Sequence, residues 1–291
     1  KEDAWMNTRH NLQLKLAPWA LLTVSAAWGL SFVIMKSAIE RQSVNNFLFT
    51  RFVLAVLVMI LIRPQVIKHF DKDLLLRGFG AGFFLGGGYI LQTIGLANTG
   101  AAITGFVTGL YVILTPLFAA VIFKDRISKT TWLYVLMATI GLALLSLQGW
   151  SVGFGELMVF LSAIAFAAHI TALSKWSSGR DVYAMTITQL MMCAIITGVA
   201  SAFEGYSLPP DNGVWGVVIF TAVFATAIAF IVQTWSQAHM SATKVAVILT
   251  MEVVFAAIFA VIFGGERLSL QEALGGILVV TAMYLIVLKE A

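Results

Sequence analysis

Residues 89–102 read YILQTIGLANTGAA, and residues 230–243 read FIVQTWSQAHMSAT. At a constant offset of 141, Ile90 meets Ile231, Gln92 meets Gln233, Thr93 meets Thr234, Ala97 meets Ala238 and Ala101 meets Ala242. The register holds further along the chain. Phe118-Ala119 meets Phe259-Ala260, and Asp125-Arg126-Ile127-Ser128 meets Glu266-Arg267-Leu268-Ser269. One offset without a gap, ending in a shared acid-Arg-apolar-Ser signature, reads as two copies of one unit. How many membrane crossings each unit makes then decides the fold.

Composition supplies the solvent. Of 291 residues, 60% are hydrophobic and 11% charged, whereas a soluble domain carries roughly 25% charged residues. The apolar residues come in long runs, and a helix needs about 20 residues to cross a hydrocarbon core. Alternation of period two, the mark of a membrane barrel, is absent. The expected fold class is an all-α membrane protein with ten transmembrane helices, at about 17–39, 46–63, 74–97, 102–123, 131–148, 153–176, 182–203, 213–237, 243–264 and 271–288. Connections such as NTG, GWSVG and PPDNG are turn signals, and none is long enough to separate independent domains. Residues 1–16 read as a cytoplasmic N-terminal tail without a small-residue cleavage site, so the first apolar run is a retained signal anchor. Cys193 is the one cysteine, which excludes an intrachain disulfide. The net charge of +4 gives no reason to expect a nucleic-acid partner.

Charge distribution orients the bundle. The amino terminus and the even-numbered loops hold fourteen of the 18 Lys and Arg residues; the odd-numbered loops hold only Lys36, Arg41 and Arg267, and Arg51 lies within a span. Positive residues collect on the cytoplasmic side, so both termini are expected there. Residues 17–148 then form a first five-helix repeat and residues 153–288 a second. Five is odd, so the second repeat is inverted: Ser128 falls on the cytoplasmic side and Ser269 on the outer side. Inverted repeats are the signature of secondary transporters, whose substrate site lies near the midplane where the copies meet.

Polar residues inside spans mark that site or the glue between helices. Thr104, Thr108, Tyr111 and Thr115 share one face of the fourth helix, Tyr89 and Gln92 one face of the third, and Thr226, Gln233 and Gln237 one face of the eighth, with Trp235 nearby. Glu252 sits near mid-bilayer, where an ionised carboxylate costs about 2.5–3.5 kcal/mol on translocon scales. It is expected to bind a substrate amino group or a coupling proton; the structural alternative is a protonated acid bonded to a neighbouring helix. His169 is mid-span, and aligning AAWGLSF with AIAFAAHI pairs it with Ser31. Trp28 lies beside the expected cavity, while Trp19, Trp132, Trp150 and Trp215 read as interfacial anchors. Arg51 and Lys36 are expected to snorkel to the interface. Pro116 removes a backbone bond and frees the Val112 carbonyl, a gate or a plain bend. Gly78, Gly82 and Gly86 form a packing ridge, not a nucleotide loop, since no GK[ST] follows.

The sequence also resembles a family. WGLSF at Trp28–Phe32, Arg51-Phe52, KDRIS at Lys124–Ser128, GELMVFLSAIAFAAHITALSK at Gly155–Lys175 and FGGERLS at Phe263–Ser269 resemble bacterial members of the drug/metabolite transporter superfamily built from two EamA-like units. The chain departs from the family pattern in having Glu252-Val253 without a proline, Pro116 one turn later than usual, and no second-half counterpart of Arg51. The resemblance implies alternating-access export of small metabolites, above all amino acids including aromatic ones, across the bacterial inner membrane; drug, multidrug or nucleotide-sugar transport by the same fold is the alternative. It also implies a monomer whose partners are a small-molecule substrate and the lipid bilayer, with no cofactor and no metal. No HExxH, GxSxG or Walker sequence appears, so the chain does not read as an enzyme. The expected substrate-binding residues are Trp28, Ser31, Tyr89, Gln92, Thr108, Tyr111, His169, Gln233, Trp235 and Glu252.

Overall fold

A computed structural model describes residues 2–99, 101–147 and 153–289, with the side chains of residues 2–8, 32, 36, 97, 101 and 102 excepted. The expected anchor Trp150 and the side chain of Lys36 fall outside that set. Among the described residues, ten helices are long and apolar enough to cross a membrane. They are α1 (Glu2–Ile39), α2 (Val44–Ile62), α3 (Lys72–Asn98), α4 (Ala101–Gly109 and Tyr111–Ile122), α5 (Lys129–Ser146), α6 (Phe154–Trp176), α7 (Val182–Glu204), α8 (Asn212–Gln237), α9 (Ala242–Leu249 and Met251–Gly264) and α10 (Leu270–Lys289).

Short polar caps start most of these helices. The side chains of Ser43, Asp71, Ser128, Asp181, Asp211 and Ser241 each accept a hydrogen bond from a backbone N–H three residues on, at the heads of α2, α3, α5, α7, α8 and α9. At α10, Ser269 and Glu272 cap reciprocally: Glu272 N–H donates to Ser269 Oγ and Ser269 N–H to Glu272 Oε2. The repeated Ser128 and Ser269 are therefore equivalent N-caps of the fifth helix in each half, which explains the shared motif physically.

Two expectations about continuity change. Residues 2–16 are helical and continuous with α1, which runs through Pro18. The fourth and ninth helices are each interrupted. In α4 the break falls at Leu110, whose N–H reaches Val107 O in a tighter turn. In α9 it falls at Thr250, with Val253 N–H on Thr250 O. Those positions match to within one residue at the offset of 141. Pro116 is buried in the second half of α4, past the break, so the discontinuity expected at the proline lies six residues earlier.

Contacts between loops fix the two ends of the bundle. The Nζ of Lys175, near the end of α6, sits 2.9 Å from both oxygens of Asp125; Arg63 at the end of α2 grips Asp181 before α7 at 3.1 and 3.0 Å; and Lys289 at the end of α10 donates to Thr131 Oγ1 at 2.9 Å. At the other end Arg41 pairs with Asp211, Thr99 with Glu156 at 2.8 Å, and Gln271 donates to Leu144 O and Leu147 O. Ser128 and Ser269 thus lie at opposite ends, as inversion requires.

The apolar core divides differently from the sequence. One cluster, with Val112, Val135, Leu142, Ala246, Ile248, Val279 and Ile286, joins α4, α5, α9 and α10. The other, with Phe47, Phe52, Leu85, Ile187, Leu190 and Phe230, joins α2, α3, α7 and α8. Each cluster draws on both halves, so the repeats interleave. Trp28 of α1 and Phe166 of α6 pack against both clusters. The glycine ridge of α3 lies on α7: a Cβ at Gly82 meets Gln189 O at 2.5 Å, and one at Gly86 meets the Cys193 Cα at 3.2 Å.

Candidate functional site

A cavity of about 160 Å³ lies between the two clusters. Nine of the ten expected residues line it: Trp28, Ser31, Tyr89, Gln92, Thr108, Tyr111, His169, Gln233 and Glu252. Lining residues Ile39 and Val44 flank the turn between α1 and α2, so the cavity reaches toward the end away from the termini. The opposite end is plugged. Every residue of Ala242–Leu249 is buried, and Phe230 is 1% exposed.

Helix interruptions place the polar groups. Thr108 and Tyr111 straddle the break in α4, and Leu249 and Glu252 straddle that in α9. Both breaks keep right-handed backbone, at Leu110 (φ −63°, ψ −10°) and Thr250 (φ −60°, ψ −19°), so each is a local tightening of the helix beside the cavity. Gly29, inside WGLSF, explains how α1 comes close. A Cβ there meets Ala256 N and Phe255 Cβ at 2.7 Å and Glu252 O at 2.9 Å. Only glycine lets α1 touch the backbone that carries Glu252, and the flanking Trp28 and Ser31 are delivered to the cavity by that contact. The alignment of AAWGLSF with AIAFAAHI has a spatial meaning as well: Trp28 with Phe166, and Ser31 with His169, all face the cavity.

Most lining groups are already satisfied. Gln92 Nε2 donates to Thr108 Oγ1 at 3.1 Å. His169 Nε2 is 2.9 Å from Gln189 Oε1, and Gln189 Nε2 donates to Thr234 Oγ1 at 3.2 Å. Ser31 Oγ donates to Ala27 O. Gln233 Nε2 donates to Gln237 Oε1, and Gln237 Nε2 to Ile170 O and Ser174 Oγ. The second thread of the opening repeat is thus structural for Thr234 and mixed for Gln233, whose Oε1 has no partner among the described residues. Tyr89 packs edge-on against Phe52 and Phe166, with centroids at 5.4 and 5.6 Å. The polar stripe of α4 divides: Thr108 and Tyr111 reach the cavity, whereas Thr115 is 0% exposed and its hydroxyl has no partner among the described residues.

Glu252 is half-buried, and among the described residues its carboxylate makes no hydrogen bond and no ion pair within 4.0 Å. Arg51 is the residue that sequence reasoning misplaced. It does not snorkel: it is 3% exposed and lines the cavity. Its Nε donates to Thr226 Oγ1 at 2.6 Å and its Nη2 to Ala225 O at 3.2 Å. Its place near the start of α2 suggested the interface, but α8 curls over it. The one signal in the sequence was Thr226, already placed on the polar face of the eighth helix. Trp235 is the other correction: it lies outside the cavity and packs at a tilt against His239 with centroids 5.1 Å apart. Helical spacing brought it near Gln233, but the ring leaves the shared face. Outside the spans, burial raises the pKa of Asp181, but the hydrogen bonds from Arg63 and from Ala184 N–H outweigh it, and the carboxyl titrates below its ordinary value.

Similarity to known proteins extends over nearly the whole chain. The model of the EamA-like transporter family matches residues 15–147 and again residues 153–288. An uncharacterized transporter of Archaeoglobus fulgidus is 31% identical over 276 residues, covering 94% of this chain and 86% of its own length. The pseudopaline exporter of Pseudomonas aeruginosa is 24% identical over 275 residues, covering 90% of this chain and 93% of its own. A solved structure superimposes with a TM-score of 0.76 at 17% sequence identity, over 93% of this chain and 94% of that one, and so shares the fold.

Proposed function

Because the chain belongs to the EamA-like transporter family, we propose that it is a secondary exporter of small zwitterionic metabolites, foremost amino acids including aromatic ones, working by alternating access in the bacterial inner membrane with both termini cytoplasmic. One observation carries this reading. Arg51 and Glu252, a cation and an acid, line the same cavity without pairing with one another. Burying unlike charges apart costs free energy that a bound zwitterion recovers, its carboxylate on Arg51 and its ammonium on Glu252. Trp28, Phe166, Tyr89 and Tyr111 give the cavity aromatic walls for an apolar side chain. A nucleotide sugar, with two phosphate charges, finds one arginine and an opposing acid, which argues against that alternative. The exporter named among the relatives supports the direction of transport. The two interleaved clusters, joined through α1 and α6, are the bodies that rock about the site.

The test is counterflow of labelled amino acids in proteoliposomes, with and without a pH gradient. Saturable counterflow is expected for the wild type and loss of it for a folded Glu252→Gln variant. Absence of counterflow for every amino acid refutes the reading; full activity of Glu252→Gln removes the acid from it.

A further inference from the structure

We infer that the π turn of α8 builds a carboxylate subsite, with Thr226 as the positioning residue that aims Arg51; this rests on the zwitterion reading above. Among the described residues α8 alone carries a π segment, Val223–Ile228. A π turn inserts an extra residue into a helix and is frequent at functional sites. Here the N–H of Ala229 bonds Thr226 O, and Ala225 O takes side-chain donors from two other helices. Trp28 Nε1 of α1 reaches it at 2.8 Å and Arg51 Nη2 of α2 at 3.2 Å. Thr226 Oγ1, in the same turn, accepts Arg51 Nε at 2.6 Å.

Counting donors gives the consequence. A guanidinium has five N–H groups in a rigid plane. The side-on fork, one N–H of Nε and one of Nη2, is spent on Thr226 and Ala225. One N–H of Nη1 faces Met35 Sδ at 3.6 Å, a weak acceptor on a flexible side chain that also lines the cavity. Two donors remain, one each on Nη1 and Nη2. Nη1 and Nη2 make up the end-on fork, whose geometry matches the two oxygens of a carboxylate, and among the described residues the weak Met35 Sδ contact is what a ligand there would displace. No acid of the chain lies within 4.0 Å of Arg51 among the described residues. The π turn therefore holds the guanidinium by its side and leaves its end for a ligand. Without the Thr226 hydroxyl the plane is free to rotate, and the charge stays while its aim is lost.

Binding of three probes to the purified full chain in detergent tests this. L-Phenylalanine carries both charges, 3-phenylpropionate only the carboxylate and phenethylamine only the amine. Thr226→Val should weaken L-phenylalanine and 3-phenylpropionate by roughly tenfold and leave phenethylamine unchanged, with Thr226→Ser restoring wild-type values. Glu252→Gln should show the reverse pattern, losing phenethylamine and sparing 3-phenylpropionate. Equal weakening of all three probes by Thr226→Val, or of none, overturns the subsite while leaving the zwitterion reading intact. Failure of the wild type to bind both L-phenylalanine and 3-phenylpropionate overturns the subsite, and the zwitterion reading falls as well only if counterflow is absent for every amino acid.

Discussion

Gly29→Ala is the perturbation that most directly links the sequence motif to the site. The added Cβ would sit 2.7 Å from Ala256 N and from Phe255 Cβ, and 2.9 Å from Glu252 O. Ordinary contact begins near 3.4 Å, so α1 and α9 must part by about half an ångström or more, because two of the three obstacles are backbone atoms. Overpacking of this kind costs about 1–3 kcal/mol. Replacing an interior helical glycine by alanine returns about 0.8–1.0 kcal/mol of helix propensity. The net expectation is a loss of about 0–2 kcal/mol, together with a shift of the α9 backbone at Glu252. Gly276→Ala is the control, since a Cβ there meets nothing within 4 Å and only the propensity gain applies. Thermal unfolding in micelles should rank Gly276→Ala at or above wild type and Gly29→Ala several degrees below. Counterflow at a temperature where Gly29→Ala is still folded should show a raised half-saturation concentration. If Gly29→Ala melts with Gly276→Ala, or transports with wild-type affinity, the argument that this glycine sets the α1–α9 contact is wrong.

The reciprocal glycines of α5 and α10 give a sharper stability contrast. A Cβ at Gly275 meets Gly141 O at 2.6 Å, so Gly275→Ala should lose about 1–3 kcal/mol to overpacking, offset in part by the same propensity gain, where its neighbour Gly276→Ala has the gain alone, measured by the same melts. Trp235→Phe should leave counterflow unchanged, since the ring lies outside the cavity; a large loss of affinity would return Trp235 to the site. Asp181 offers a pH test: its pKa is lowered in the folded chain, so its stabilisation is present above the unfolded value of about 3.9 and is lost as pH falls through the folded one. The melting gap between wild type and Asp181→Asn should be small for a partly exposed pair, on the order of 1 kcal/mol or less, visible at pH 6 and shrinking as pH falls below the unfolded value. A gap that widens on acidification contradicts the Arg63–Asp181 pairing.

Much was legible in the chain because the membrane makes the code simple. Long apolar runs between capping residues fixed ten helices, and an odd number per repeat fixed inversion. Ser128 and Ser269 repeat because each caps a fifth helix, a local requirement that leaves a local trace. Nine of the expected residues line one cavity, since a polar face in a bilayer must turn inward. What spacing does not encode is which helix stands opposite. Arg51 looked like an interfacial residue until α8 was seen to supply Ala225 O and Thr226, and the π turn that does so has no signature in VFATAI. The interruptions of α4 and α9, the contact of Gly29 with the Glu252 backbone, and the interleaving of the two halves into two shared cores are likewise products of packing. Helices and their orientation follow from backbone hydrogen bonding and the exclusion of charge from lipid, interactions that each segment settles for itself. The site is decided by contacts between segments far apart in the chain, as between Ser25 and Ile248 O, 223 positions away, and those exist only once the bundle has closed.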